Sequence, residues 1–147
     1  MQTGDKQLAS ARPLWYLLKG CHNISFKAVH MIVKIKNIVV FVRDFPAARL
    51  FYRQWLALAP GKETETMMEF FPGEGTSLGV ALALHDDAQK LVGRHTGITL
   101  SVQGLDQVCA RLEENGARFT EKLESTPWGK MAVVADQDGN EFALVEA

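Results

Sequence analysis

Two stretches of this chain carry the same order of elements at one constant spacing, and that repetition constrains the fold more than any single motif. A strand ending at Val42 leads into a helix that starts at Phe45 and ends near Leu56. A strand ending at Val102 leads into a helix that starts at Leu105 and ends at Gly116. A fixed offset of this kind marks an internal repeat. Three short strand candidates follow each helix, so the pattern is βαβββ twice over, across about residues 32–146. The expectation is an α+β fold of paired βαβββ modules. They would make one domain over residues 31–147, with the modules at 31–88 and 94–147.

Within the first module, the run Ile38-Val39-Val40-Phe41-Val42 predicts a strand buried on both faces. Asp44 is placed to cap the helix, with Pro46 in the first turn where a missing N–H costs little. Phe45, Ala48, Tyr52 and Trp55 fall on one helical face, with Phe51 flanking, and Pro60-Gly61 reads as the stop. Strands are expected at 63–66, 67–71 and 78–84, with a turn at Pro72-Gly73-Glu74-Gly75 and a polar linker from His85 to Gly93. In the second module, Leu105, Val108, Cys109 and Leu112 make an apolar helical stripe, and Asn115-Gly116 ends the helix. Asp138-Gly139 between two apolar runs predicts a two-residue hairpin turn.

Composition removes several classes of function. A formal net charge of −1 provides no field for nucleic acid or anionic lipid, and no basic run stands in for one. No apolar run is long enough to span a bilayer. Two cysteines, Cys21 and Cys109, build no disulfide framework, so a reducing, cytoplasmic setting is expected. Residues 1–30 read as a poorly structured or loosely docked extension. Their cluster Leu14-Trp15-Tyr16-Leu17-Leu18 is too short for a signal-peptide core.

Three motifs carry a family resemblance: Trp128-Gly129, the hairpin Asp136-x-Asp138-Gly139-Asn140, and Val42-Arg43-Asp44-Phe45 followed by Phe51-Tyr52-Arg53-Gln54-Trp55-Leu56. Together with the repeat they resemble the vicinal oxygen chelate superfamily of glyoxalase I, extradiol dioxygenases, and fosfomycin- and bleomycin-resistance proteins. The resemblance implies a curved mixed sheet with a concave cleft. In metal-dependent members, a histidine on the first strand, a histidine on the fifth and a glutamate on the last hold a divalent ion. Carried over one at a time, these positions fall on Asn37, Gly97 and Ala143, and the acidic fourth-strand position falls in residues 80–84, where no acid occurs. Asn37 is a poor ligand, and glycine and alanine offer none. No metal or other cofactor is therefore expected. A displaced site using His95 and Glu141 with Asn37 is the alternative.

Small residues at those positions leave volume in the cleft. The expected ligand-binding residues are Asn37, Val39, Phe41, Gly97, Thr99, Ser101, Ala143 and Val145, with Trp128 at the mouth. Other motifs fail on inspection. Glu141 stands where a calcium loop needs glycine, Gly73-Glu74-Gly75 lacks the lysine of a phosphate loop, and Cys109 lies on the apolar stripe as an inert thiol. The leading expectation is a metal-free protein that sequesters or carries a small, partly apolar ligand. The rivals are a glyoxalase- or dioxygenase-like metalloenzyme with a displaced site, and a self-association module without ligand. The family pattern further implies a homodimer.

Overall fold

The computed structural model describes residues 33–147; the expectations for the N-terminal extension lie outside them. In order, the elements are β1 (Asn37–Val42), α1 (Phe45–Arg49) running on as a π-helical turn (Leu50–Trp55), β2 (Pro60–Glu63), β3 (Met67–Phe70), β4 (Ser77–Leu82), α2 (Asp86–Gln89), β5 (His95–Val102), α3 (Leu105–Glu114), β6 (Arg118–Thr126), β7 (Gly129–Ala135) and β8 (Glu141–Glu146). They form two mixed four-stranded sheets, ordered β1-β4-β3-β2 and β5-β8-β7-β6. In each, the first strand of the module runs parallel to the last, and the remaining pairs are antiparallel. The duplicated βαβββ pattern is therefore an α+β fold of two like modules.

The helix-bearing faces of both sheets share one core. Val40, Val42, Leu78 and Val80 from the first sheet meet Ala132, Val134, Phe142 and Leu144 from the second. α3 contributes Leu105, Cys109 and Leu112, three of the four residues of its stripe, and packs on β6, β7 and β8. Burial raises the pKa of the Cys109 thiol, with Glu113 and Asp106 adding to the effect, so this group is held away from the thiolate. Asp44 caps α1, its Oδ1 accepting from the Ala47 N–H at 3.0 Å. The chain then widens into the π-helical turn, where Leu56 N–H donates to Phe51 O and Leu58 N–H to Tyr52 O. A π turn alters the stagger of a regular helix, and here the consecutive Phe51 and Tyr52 are both fully buried while Trp55 is half-buried.

Tyr52 joins the modules. Its ring packs edge-on to Phe142 of β8 at 5.7 Å, and its hydroxyl donates to Asp136 Oδ2 at 2.7 Å. Asn140 Nδ2 donates to the same oxygen and to the Phe41 carbonyl of β1, at 2.9 and 3.0 Å. Asp136 Oδ1 accepts from the N–H groups of Asp138 and Asn140, both at 2.9 Å. Every polar atom of this cluster thus has partners, as burial requires.

Five local expectations need correction. The two-residue turn at Asp138-Gly139 is a five-residue loop, because Asp136 and Asn140 turn inward to bond each other. Pro60-Gly61 belongs to β2 rather than to a helix stop, and the segment expected as strand from Glu63 to Thr66 is mainly a turn. There the Thr64 hydroxyl accepts from the N–H groups of Thr66 and Met67. The linker contains α2, capped by His85 Nδ1 accepting from Ala88 N–H at 3.3 Å. β1 is buried on one face only: Val40 and Val42 are interior, whereas Ile38 is exposed and Val39 and Phe41 are half-buried.

Replacing Leu112, which is fully buried, with Ala should lower stability by about 2–5 kcal/mol in urea denaturation. Tyr52 gives a second prediction. Burial, then the charge and hydrogen bond of Asp136, raises its pKa well above the usual phenol value. A raised folded-state pKa contributes stability that is complete below the unfolded phenol's pKa, near 10, and is lost as pH rises beyond it. Unfolding free energy of the wild type should fall above pH 10 by about 1.4 kcal/mol per pH unit more steeply than that of Tyr52→Phe. Equal slopes would contradict the buried bond.

Candidate functional site

With their helix-bearing faces committed to the core, the sheets leave their opposite faces for ligands. On the first sheet this face holds a depression of about 460 Å³. Register builds it. Asn37 pairs with Ser77 and Val39 with Gly79 across β1 and β4, while Glu69 of β3 sits opposite Gly79. Met67 stands beside them, and Lys36, Lys62, Thr64 and Thr66 complete the lining. A methyl group on Gly79 would meet Val39 Cγ2 at 3.4 Å, the Ile38 carbonyl at 3.7 Å and Val39 Cγ1 at 4.0 Å, all ordinary contact distances. The glycine is therefore not dictated by packing; it keeps the depression open. The site can place an apolar surface against Met67 and Gly79 while amide, hydroxyl, ammonium and carboxylate groups address polar atoms.

Within one chain the expected ligand-binding residues are dispersed. Asn37 lies in the depression on the first sheet. Val39 and Phe41 border a gap of only about 30 Å³ shared with Ile98 and Asn140, where the edges of the two sheets approach. Phe41 also packs on Ala83, Ala88 and Val92 around α2. Thr99 and Ser101 line a separate crevice of about 480 Å³, whose apolar walls include Leu56, Leu58, Phe71 and Leu144. Ala143 pairs with Thr99 and Val133, and Val145 with Ser101 and Met131, both half-buried on the second sheet. Gly97 sits in an irregularity of β5 between His95 and Ile98, which interrupts strict alternation along that strand. Trp128 is 93% exposed at the β6–β7 turn and borders none of these spaces.

The residues missed by sequence reasoning include Met67, Glu69, Ser77 and Gly79. Their alternation along β3 and β4 is visible in the sequence, but their position beside Asn37 depends on the β1–β4–β3 register.

The positions that the family resemblance implies for a metal do not fit one. Asn37 offers a single amide, and Gly97 and Ala143 offer no ligating side-chain atom and do not border the depression that Asn37 lines. His95 and Glu141 of the displaced alternative do meet, Nδ1 to Oε2 at 3.3 Å, whereas Asn37 lines a different pocket. Among the described residues no group of three or more His, Cys, Asp or Glu could hold an ion.

The glyoxalase/bleomycin resistance protein/dioxygenase superfamily model matches residues 34–144. The chain belongs to that superfamily. A superfamily member from Sphaerobacter thermophilus DSM 20745 is 30% identical, with a TM-score of 0.66 over 80% of this chain and 99% of its own. TnmS3, described as an antibiotic binding protein from Streptomyces sp. CB03234, is 27% identical, with a TM-score of 0.65 over 79% of this chain and 97% of its own. A glyoxalase/bleomycin resistance protein from the same Streptomyces strain is 26% identical, with a TM-score of 0.63 over 76% and 99%. No curated protein matches the chain. Membership of this superfamily supports a ligand-binding role, while the chemistry must come from this chain's own residues.

Elemental analysis of protein purified without chelator should find no stoichiometric Zn, Ni, Mn or Fe. About one ion per chain, lost in His95→Ala, would overturn this and establish the displaced site.

Proposed function

We propose that this protein binds a small, partly apolar, planar molecule without a metal, and acts by sequestering or carrying it. The observation that supports this reading is the depression beside Asn37. It combines a thioether, a bare glycine and a ring of polar groups, with no nucleophile–base pair and no metal-ligand set. The printed description of TnmS3 as an antibiotic binding protein makes aromatic antibiotics a reasonable first ligand class. A reducing cytoplasmic setting accords with the free, buried Cys109.

The proposed site is completed by a second copy of the chain. The open face of the second sheet carries Thr99, Ser101, Ala143 and Val145, none of which borders the depression beside Asn37 within one chain. A homodimer that lays this face over the first sheet of another copy would gather the expected residues into two equivalent clefts. It would also cover apolar surface such as Met67, exposed in the single chain.

Thermal denaturation against a panel of aromatic antibiotics tests the reading. A ligand at a hundredfold excess over its Kd should stabilise the native state by about 2.7 kcal/mol. Gly79→Phe should abolish that shift while the unliganded protein still unfolds cooperatively. Ala143→Trp should do so only if the two faces meet in the dimer. Undiminished affinity in Gly79→Phe would remove the site from the first sheet, and light scattering reporting a monomer at micromolar concentration would defeat the assembly.

A further inference from the structure

A crevice of about 460 Å³ lies between the segment entering β5 and the β7–β8 loop, and it shares no residue with the depression on the first sheet. Six polar side chains line it, from Arg94, His95, Arg118, Gln137, Asp138 and Glu141, over a floor of Gly93 and Gly139. The floor is bare of necessity. Both glycines have positive φ, +79° and +87°. A Cβ on Gly93 would lie 2.8 Å from the Asp138 carbonyl, and one on Gly139 would lie 3.5 Å from Gly93 Cα and 3.4 Å from Arg118 Nη2. The two backbones are therefore in close approach, with the Arg118 guanidinium beside them.

Charge is distributed unevenly among engaged and unengaged groups. Asp138 directs Oδ2 to the N–H groups of Arg43 and Asp44, at 2.8 and 3.1 Å, and Glu141 faces His95. Both carboxylates thus have partners outside the arginine pair. Arg94 and Arg118 are exposed, and among the described residues neither side chain enters an ion pair, whereas Arg49 and Arg53 both engage Glu63. A guanidinium presents a planar fork of donors that matches phosphate or carboxylate oxygens. Two such forks bordering one open backbone floor, with the Gln137 amide as a further donor, make an oxyanion receptor. We propose that this crevice binds a small molecule through a phosphate or carboxylate group held by Arg94 and Arg118, at a site separate from the proposed ligand depression.

The test is a ¹H–¹⁵N NMR titration of the full chain with inorganic phosphate and, separately, with citrate, at ionic strength held constant with sodium chloride. The expected result is saturable shifts of the Gly93, Gln137 and Gly139 amides. Arg94→Met and Arg118→Met should each weaken binding at least tenfold without altering the remainder of the spectrum, since both side chains are exposed. Lys130→Met, which removes a cation paired with Asp106 outside the crevice, should leave affinity unchanged. Saturation by phosphate alone assigns a phosphate-bearing ligand, saturation by citrate alone a carboxylate-bearing one, and saturation by both the shared oxyanion chemistry. Linear, dispersed shifts with both anions, or unchanged affinity in the Arg94→Met/Arg118→Met double variant, would overturn the proposal.

Discussion

The hydrogen bond from Tyr52 to Asp136 binds a helix of one module to a loop of the other, and several features of the fold follow from accommodating it. Asp136 is almost fully buried and Asn140 completely so. An unpaired carboxylate there would cost several kcal/mol in desolvation. Here it receives four donors: the Tyr52 hydroxyl, the Asn140 amide and the backbone N–H groups of Asp138 and Asn140. Meeting that requirement draws the β7–β8 loop inward and lengthens it. It also sets Asn140 to bond the Phe41 carbonyl of β1 and to accept from Gly93 N–H at 2.9 Å. The π-helical turn has the complementary role, burying the consecutive Phe51 and Tyr52 while Tyr52 reaches Phe142 and Asp136 of the other module.

This arrangement decides where ligands can go. Because both helix-bearing faces are sealed in a common core around Tyr52, Phe70 and Phe142, solvent-facing chemistry is restricted to the opposite faces and to the crevices at loop junctions. The first sheet supplies a depression with polar and apolar elements in register. The second supplies Thr99, Ser101, Ala143 and Val145 on another surface. Residues that a linear reading places in one cleft border different pockets within a chain, and the proposed homodimer would bring them together. The loop that buries Asp136 also carries Asp138 and Gly139 to the oxyanion crevice, so junction and crevice share a backbone.

Much of the architecture was legible in the residues because the signals were local. The Asp44 cap, the Leu105–Leu112 stripe and the repeat spacing depend on neighbours a few positions away. What could not be read depended on distant partners. Asp136 and Asn140 have the residue types of an exposed turn, and only Tyr52, far away in sequence, makes them interior. At Gly97 the irregularity between His95 and Ile98 breaks the alternation that a strand sequence implies. Met67 and Gly79 looked like ordinary strand residues until register set them beside Asn37. Trp128 matched a family motif, but its turn projects it into solvent.

If the Tyr52–Asp136–Asn140 cluster makes the two modules one cooperative unit, their strands should open together. Native-state amide hydrogen exchange resolves this directly, because it measures an opening free energy for each protected strand. The core amides of β4 in the first module and β8 in the second should exchange with the same free energy, equal to that of global unfolding, and should respond in parallel to denaturant. A first module that opens at distinctly lower free energy while β8 remains protected would contradict the account.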